Sequence, residues 1–387
     1  MNRYREHGVR VIGPWLATLV IACGGGDDSA DAGASTAASA TESSGTTSDA
    51  GDGDSTGDPD TTGDGDATGS GDGDTTGDGD GDADAAPEVR EDTTYSVTVT
   101  ELSYGQGQTH SDWGGPVTGT VDLMLDVYEP VDAPPGRPAM VVIHGGGFTG
   151  GSKTAMAYVA LSEYFAERGW VVISIDYRIT DDRGTVPDTW VDFVTNNDNI
   201  PTNFQDQIYA QYPAARDAKG AIRWLHASAD TYKLDLDYIT VAGGSAGGIQ
   251  SVTMGVSDPE DFRDEIDMAD DPTLSTTNLD QAAEVHTIID YWGSGTQVAI
   301  LESIDGVNRF DATDPPMCIV HGTADATVPI AAGEALRDTY IELGIPYAYY
   351  PLEGAGHGPW EATFDGQTLH ELAFDFIVEQ QGLTVVP

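Results

Sequence analysis

Hydrophobic residues follow two different periods along the chain from residue 93 onward. Alternating apolar and polar residues over 95–102 and 121–128 predict half-buried strands. Continuous apolar runs over 138–143 and 170–175 predict strands that are covered on both faces. Apolar residues between these two runs recur at helical spacing, at Ala157, Leu161, Tyr164 and Phe165. A strand, a helix and a strand in this order predict a right-handed crossover within a parallel sheet.

The alternation of helices and strands continues to the end of the chain. Further strands are predicted over 238–242, 287–291, 316–320 and 347–351. Three helices are indicated by apolar stripes at Ala214, Ala218, Ile222 and Leu225, at Ala332, Leu336, Tyr340 and Leu343, and at Leu369, Leu372, Ala373, Phe376 and Ile377. We therefore predict an α/β fold in which helices cover both faces of a mostly parallel sheet, formed as one domain by residues 93–387.

Two segments interrupt this rhythm, over 180–207 and 257–283. Both are polar, rich in Asp and Asn, and without a clear period. Long irregular insertions in a compact domain are usually functional or disordered. We interpret both as loops that lie over a functional site and shape its substrate pocket.

The first 22 residues have the organisation of a signal peptide. Arg3, Arg5 and Arg10 are followed by an apolar run over 11–22 that is too short to span a bilayer as a helix. The run ends in VIAC, which resembles a bacterial lipobox and implies lipidation of Cys23. Lipid on Cys23 would anchor an exported protein to the cell envelope, with its folded domain outside the cytoplasm. The alternative is an ordinary signal peptide with a chance cysteine.

The segment over 23–92 is predicted to be a disordered linker. Up to residue 87 it consists mainly of Gly, Asp, Ser, Thr and Ala and contains no Lys or Arg. Such a sequence has nothing to bury, and its like charges repel one another, so it should be extended.

Alternate aspartates in this linker invite comparison with a calcium loop, at Asp78, Asp80, Asp82 and Asp84. Ala83 stands where that loop requires glycine, and Val89 stands where it requires glutamate. The sequence therefore does not fit an EF-hand, and loose calcium binding stays a minor alternative.

Charge and cysteine content narrow the possible partners. The chain has 16 Lys and Arg against 65 Asp and Glu, a net charge of −49. It offers no basic surface for phosphates, so nucleic acid is not expected as a partner, and anionic substrates are disfavoured. Once Cys23 is lipidated, Cys318 has no partner among the 2 cysteines. We expect no disulfide and a buried position for Cys318 in a strand.

The sequence YITVAGGSAGGIQ over 238–250 predicts a strand, a sharp turn and a helix. It contains the pattern G-x-S-x-G with Ser245 at its centre, which is typical of a nucleophile elbow. Glycines at Gly243 and Gly247 make room for a strained turn that raises the serine above the sheet. A helix beginning near Ala246 would direct backbone N–H groups at negative charge developing beside Ser245. The alternative is a glycine-rich turn with an incidental serine.

A serine hydroxyl becomes a nucleophile only when a base accepts its proton and an acid orients that base. His357 lies in GAGHGPW directly after the predicted strand 347–351. Asp325 lies in HGTADATVP directly after the strand 316–320. We therefore predict a triad of Ser245, Asp325 and His357. Weaker candidates for base or acid are His226, His321, His370, Asp290 and Asp314.

An oxyanion hole is expected in the loop HGGGF over 144–148, which follows the apolar run 140–143. Its three glycines would allow backbone N–H groups to approach a substrate oxygen without intervening side chains. An unrelated glycine turn is the alternative.

HGGGF, GGSAGG, HGTADATVP and GAGHG, in this order, resemble the α/β-hydrolase serine esterases, especially carboxylesterases of the hormone-sensitive-lipase and acetyl-xylan or feruloyl esterase-like branch. The resemblance covers about residues 93–382. It implies an α/β-hydrolase fold with Ser245 as nucleophile, His357 as base and Asp325 as orienting acid. It also implies that the N–H groups of Gly146, Gly147 and Ala246 form the oxyanion hole.

Two departures from the hormone-sensitive-lipase pattern favour the acetyl-xylan or feruloyl esterase side. Gly244 occupies an elbow position where that branch often has Asp, and ITDDRG follows residues 176–178 in place of LAPE.

The predicted function is therefore that of a serine carboxylesterase acting through an acyl-enzyme, without metal or cofactor. Its expected substrate is a small-molecule ester or an acylated carbohydrate. Two alternatives stay open. An amidase or peptidase of the same fold would share the triad, although no propeller-like repeat is visible. A non-catalytic binding protein on the same scaffold would be expected to have lost one of the catalytic parts.

Overall fold

The structure is a computed structural model that describes residues 86–387. The predicted signal peptide, the lipidation at Cys23, the aspartates over 78–84 and most of the linker lie outside the described residues, so they stay predictions. Among the described residues, no helix has the length and apolar character needed to cross a membrane.

The secondary structure of the described range alternates helices and strands as predicted. The strands are β1 (Glu88–Arg90), β2 (Val97–His110), β3 (Val117–Pro130), β4 (Arg137–Ile143), β5 (Val171–Ile175), β6 (Leu234–Gly244), β7 (Thr287–Tyr291), β8 (Met317–Gly322), β9 (Tyr347–Leu352), β10 (Thr363–Phe364), β11 (Gln367–Thr368) and β12 (Thr384–Val386). The helices are α1 (Met156–Ala166), α2 (Asp188–Asn196), α3 (Gln205–Ala227), α4 (Ala229–Tyr232), α5 (Ala246–Val256), α6 (Thr296–Asp305), α7 (Ala331–Leu343) and α8 (Leu369–Gln381). Two 3-10 turns cover Thr202–Phe204 and Pro272–Thr276.

The central sheet of the described range has 8 strands in the order β2-β3-β5-β4-β6-β7-β8-β9. The six strands from β5 to β9 in this order pair in parallel, whereas β2 and β3 form an antiparallel hairpin at one edge. The hairpin is longer than predicted, because a bulge between Ser103 and Gly105 interrupts the alternation of apolar and polar residues in β2.

Helices pack on both faces of this sheet. Alternate residues of β4 enter two separate cores, with Val141 on one face and Met140 and Val142 on the other. Helices α3, α5, α6 and α7 contribute to the first core, and helices α1 and α8 contribute to the second. This double cover explains the continuous apolar runs in the central strands. The predicted α/β-hydrolase architecture is confirmed.

The folded chain begins before the boundary predicted at Thr93. Strand β1 pairs in parallel with β12, joining Glu88 to Thr384. Val89 is completely buried in the core that includes α1 and α8. The predicted linker therefore ends earlier than residue 92. The hydrophobic pattern does not reveal this strand, because a single buried valine among charged residues has no period.

The first insertion, over 180–207, is not wholly irregular as predicted. It contains α2, whose Trp190 and Val194 are buried one turn apart. The indole Nε1 of Trp190 donates to the carbonyl of Ile208 at 2.9 Å. The irregular-loop interpretation is therefore wrong over α2.

The second insertion, over 257–283, packs along α3 and β2. Lys219 Nζ donates to the carbonyls of Asp258 and Asp261 at 2.6 and 3.0 Å. The backbone N of Gln106 donates to Thr276 Oγ1 at 2.8 Å. Its contribution to a substrate pocket stays a prediction.

Cys318 lies in β8 and is buried and free, in agreement with the sequence analysis. Burial raises the pKa of its thiol, so Cys318 stays protonated in the core.

Candidate active site

The strand β6 and the helix α5 meet at Ser245 in a sharp turn. Ser245 has φ 57° and ψ −119°, a conformation that non-glycine residues rarely adopt. Its backbone N donates to the carbonyl of Tyr291 at 2.9 Å. A Cβ on Gly247 would lie 2.0 Å from the carbonyl oxygen of Ile143, so only glycine fits there. The local sequence therefore folds into the strained elbow that its pattern predicts.

The structure brings Ser245, His357 and Asp325 into one chain of hydrogen bonds. Ser245 Oγ lies 2.8 Å from Nε2 of His357, and Nδ1 of His357 lies 2.7 Å from Oδ2 of Asp325. The three residues follow β6, β9 and β8, which are parallel strands whose carboxyl ends share one edge of the sheet. This arrangement lets the hydroxyl donate to Nε2 while Nδ1–H donates to the carboxylate.

The carboxyl group of Asp325 is held in its ionised form. Burial alone would raise its pKa, but the hydrogen bond and charge of His357 and the backbone N–H groups of Val328 and Thr327 bring the pKa below its ordinary value. Oδ1 accepts from Thr327 N at 2.8 Å and from Val328 N at 2.9 Å. The remaining oxygen is thereby fixed toward His357, as an orienting acid requires.

The weaker histidine candidates have other partners. Nε2 of His321 donates to the carbonyl of Val328 at 2.7 Å and lies 3.6 Å from Asp325 Oδ2. Burial lowers the pKa of His321, so its ring is neutral and supports the loop that carries Asp325. His226 contacts the carbonyl of Glu284, and the ring of His370 packs near Tyr164.

Of the rival acids, Asp290 is completely buried in β7 and Asp314 lies in a turn, where it accepts from Asp311 N. Oδ1 of Asp290 accepts from Gly293 N at 2.8 Å, and its Oδ2 has no hydrogen-bond partner within residues 86–387. Burial raises the pKa of Asp290 to about 7.

This raised pKa predicts a pH-dependent stability. An aspartate in the unfolded chain has a pKa near 4, so between about pH 4 and 7 the folded state holds a proton that the unfolded state releases. The free energy of unfolding therefore falls as pH rises through this window and stays lower above it.

We expect Asp290→Asn to remove this loss of stability. The amide cannot ionise, so the free energy of unfolding of the variant relative to the unchanged protein should rise between pH 4.5 and 8 by about 3 kcal/mol. Denaturant unfolding of both proteins at pH 4.5 and at pH 8 measures the change in their relative free energies of unfolding. A stability difference that is the same at both pH values would contradict the buried ionisation.

Hydrogen bonds to backbone atoms of residues 144–147 hold the glycine loop after β4 in place. The N–H of Gly145 donates to Tyr158 Oη at 2.6 Å, and Tyr177 Oη donates to the carbonyl of His144 at 2.9 Å. Gln207 Nε2 donates to the carbonyl of Gly147 at 3.0 Å. These contacts hold the loop from both α1 and α3.

The predicted oxyanion donors remain free of protein acceptors. Gly146 and Gly147 are half-buried and have φ values of +111° and +60°. Within the described part of the chain, neither of their N–H groups donates to a protein acceptor. Ala246 is the first residue of α5, and its N–H is also unpaired within this range, as expected at a helix N-terminus. Three N–H groups are thus available to stabilise negative charge.

Sequence reasoning did not identify three aromatic residues that surround the elbow. A Cβ on Gly244 would lie 2.9 Å from Trp360 Cζ2, 3.2 Å from Trp292 Nε1 and 3.3 Å from Tyr158 Oη. The Trp292 and Trp360 rings are 4.8 Å apart, and the Tyr158 and Trp360 rings 5.4 Å apart. Two positional signals existed, since Trp360 follows His357 by three residues and Trp292 directly follows a predicted strand.

Within residues 86–387, no group of three or more His, Cys, Asp or Glu side chains is placed to hold a metal ion. The described site consists of a hydroxyl, an imidazole, a carboxylate and free backbone N–H groups. Such a set can transfer an acyl group through a covalent serine intermediate.

A model of the prolyl oligopeptidase family (peptidase S9) matches residues 157–384. The matched region is more than half of the chain. It contains Ser245, Asp325 and His357, and it begins after the glycine loop.

Curated relatives of similar sequence include two esterases of Mycobacterium tuberculosis. Esterase LipC is 26% identical over 277 residues, which are 65% of this chain and 60% of LipC. Esterase LipQ is 24% identical over 302 residues, which are 73% of this chain and 62% of LipQ. The chain therefore spans about three fifths of the length of these relatives.

Among solved structures, Thermogutta terrifontis esterase 2 phosphorylated by paraoxon is 27% identical and superimposes with a TM-score of 0.50. The similarity covers 73% of this chain and 94% of that one.

Proposed function

The chain belongs to the prolyl oligopeptidase family, and from this premise we propose that it is a serine carboxylesterase rather than a peptidase. One observation carries the proposal. The hydrogen-bonded chain of Ser245, His357 and Asp325 lies at the strand ends where the unpaired N–H groups of Gly146, Gly147 and Ala246 are also found. The names of LipC, LipQ and the Thermogutta enzyme support ester hydrolysis as its use.

In the proposed mechanism, Ser245 Oγ attacks the carbonyl carbon of an ester while its proton passes to Nε2 of His357. Asp325 stabilises the resulting imidazolium, and the N–H groups of Gly146, Gly147 and Ala246 stabilise the tetrahedral oxyanion. The carbon–oxygen bond to the alcohol then breaks, and Nε2 returns its proton to the departing alkoxide.

A second cycle releases the acid. Water attacks the acyl-enzyme as His357 accepts its proton, the second tetrahedral anion collapses, and the proton returns to Ser245 Oγ. Every proton is carried by His357, so no other acid or base is needed.

The family match supports a peptidase or amidase as the second candidate, because those enzymes can use the same triad. Against it, the strands of residues 86–387 belong to the central sheet and to two small pairs, β1 with β12 and β10 with β11. No propeller-like domain is present in that range.

A matched pair of substrates separates the two candidates. We expect p-nitrophenyl acetate to be hydrolysed rapidly, while p-nitroacetanilide, the amide with the same acyl group and chromophore, shows no turnover above a Ser245→Ala background. Absorbance assays of p-nitrophenol and p-nitroaniline release measure both reactions. Preferential cleavage of the anilide would overturn the esterase proposal.

A further inference from the structure

Trp292 is held in a strained conformation beside the elbow. It has φ 44°, in the left-handed region, where a bulky side chain is a clear outlier. Its backbone N donates to the carbonyl of Val320 at 2.7 Å, and the preceding carbonyl, of Tyr291, accepts from Ser245 N. Strain of this kind persists only where the surrounding structure imposes it, and it clusters at functional sites.

The indole N–H of Trp292 has no acceptor within the described residues. The residue as a whole is 1% exposed, but Nε1 is not among the fully buried unpaired side-chain atoms of that range, which include Nε1 of Trp170. By contrast, Trp190 Nε1 donates to the carbonyl of Ile208, and Trp113 Nε1 donates to Asp206. A donor without a protein acceptor is available to a bound molecule, so a substrate oxygen that accepts from Nε1 would add a hydrogen bond at this position.

This N–H lies beside the nucleophile elbow. A Cβ on Gly244, the residue before the nucleophile, would be 3.2 Å from Trp292 Nε1 and 2.9 Å from Trp360 Cζ2. A Cβ there, such as that of the aspartate common in the hormone-sensitive-lipase branch, would overlap with Trp360 and press tightly against Trp292, so at least one indole would have to shift. Gly244 therefore allows the two rings to reach the elbow.

The ring of Trp292 also lies edge-on to His357, with 6.5 Å between the centroids. In the proposed mechanism, Nε2 of His357 delivers a proton to the departing alkoxide. A group packed against this imidazole therefore borders the alcohol half of the ester.

We propose that Trp292 is a specificity-determining residue whose indole N–H donates a hydrogen bond to an oxygen on the alcohol half of the substrate. That oxygen is a hydroxyl or ether group near the scissile ester, as in esters of glycols or sugars. This inference rests on the proposed esterase function. The enzyme then prefers such esters over alkyl esters of the same size.

The test compares 2-methoxyethyl acetate with butyl acetate, two esters of equal length that differ by an ether oxygen in place of a methylene group. Trp292→Phe keeps an aromatic ring and removes the N–H. We expect the ratio of kcat/KM for the methoxyethyl ester to that for the butyl ester to fall about fivefold, the worth of one hydrogen bond. Acid release in a pH-stat measures both esters.

Trp360→Phe is the matched control. It removes the indole N–H of the neighbouring tryptophan, so the ratio should stay that of the unchanged enzyme whatever happens to the overall rate. A fall of the ratio in this variant instead would assign the donor to Trp360 and overturn the proposal.

An unchanged ratio in active Trp292→Phe would also overturn it, and would leave the N–H with only a packing role against the Trp360 ring. If Trp292→Phe fails to fold, the preference of the unchanged enzyme between the two esters provides a second test. Relative to alkaline hydrolysis of the same esters, its kcat/KM must favour the methoxyethyl ester, and a preference for the butyl ester contradicts the proposal. If the unchanged enzyme hydrolyses neither these esters nor p-nitrophenyl acetate, the esterase function itself is wrong.

Discussion

Ser245→Ala is expected to lower kcat for p-nitrophenyl acetate by about 10⁴-fold or more while the protein stays folded. Without Oγ there is no nucleophile for the acyl-enzyme, and the remaining N–H groups can only assist attack by water. The main chain at φ 57° already carries a Cβ, so alanine adds no new strain. Steady-state kinetics and thermal unfolding of the same preparation test both parts of this expectation.

Ser303→Ala is a suitable control for this variant. Ser303 Oγ donates to the carbonyl of Ala299 within α6, so the substitution removes a serine hydroxyl at a position that does not contact the triad. Its activity should stay within a fewfold of the unchanged enzyme. A fluorophosphonate probe should label the control and the unchanged enzyme but not Ser245→Ala. Near-normal turnover by Ser245→Ala would show that the nucleophile lies elsewhere.

The elbow could be predicted because its determinants are local. Glycines at 243 and 247, an apolar strand before them and a helix after them act within about a dozen residues. His357 and Asp325 are distant from Ser245 in sequence, but each directly follows an apolar strand. Since carboxyl ends of neighbouring parallel strands meet at one edge, order along the chain was sufficient to predict their proximity.

Trp292 could not be given a role from the sequence for a different reason. Its environment is formed by contacts with Val320, Gly244 and His357, which come from three other strands or loops. In the sequence, a single tryptophan after a strand indicates only an ordinary core residue. The pairing of β1 with β12 is also hidden from the sequence, because it joins residues almost 300 positions apart.

Several of the cations in residues 86–387 are buried inside the fold. Arg178 forms a buried bidentate pair with Asp217, at 2.7 Å for the closest atoms. Lys153 Nζ pairs with Asp126 at 2.8 Å, while its backbone N donates to Asp176 Oδ1. Asp176 lies 3.7 Å from the ring of His144 at the start of the glycine loop. Such pairs position the loops of the site, and their removal would leave an uncompensated buried charge.

Asp290→Asn is the control variant for the last prediction, which concerns replacement of the orienting acid Asp325. Asp290 is as buried as Asp325 and belongs to the strand next to the elbow, but its carboxyl contacts Gly293 N rather than His357. We expect this variant to keep kcat within a fewfold, so that loss of a buried carboxylate near the site is separated from loss of the orienting acid.

Asp325→Asn is expected to lower kcat by about 10⁴-fold with little change in KM. Thr327 N and Val328 N both donate to one oxygen of the side chain, so the single amide oxygen of asparagine would be retained by them. The amide NH₂ would then face Nδ1 of His357, which must become the acceptor, and the ring proton would move to Nε2. Imidazole in that tautomer cannot accept the proton of Ser245. Kinetics of Asp325→Asn and Asp290→Asn, with nitrogen-15 NMR of the histidine tautomer, measure the effect. Full activity in Asp325→Asn together with loss of activity in Asp290→Asn would assign the orienting acid to Asp290. Asp290 lies on β7, and the carbonyl of Tyr291 in the same strand accepts a hydrogen bond from Ser245 N.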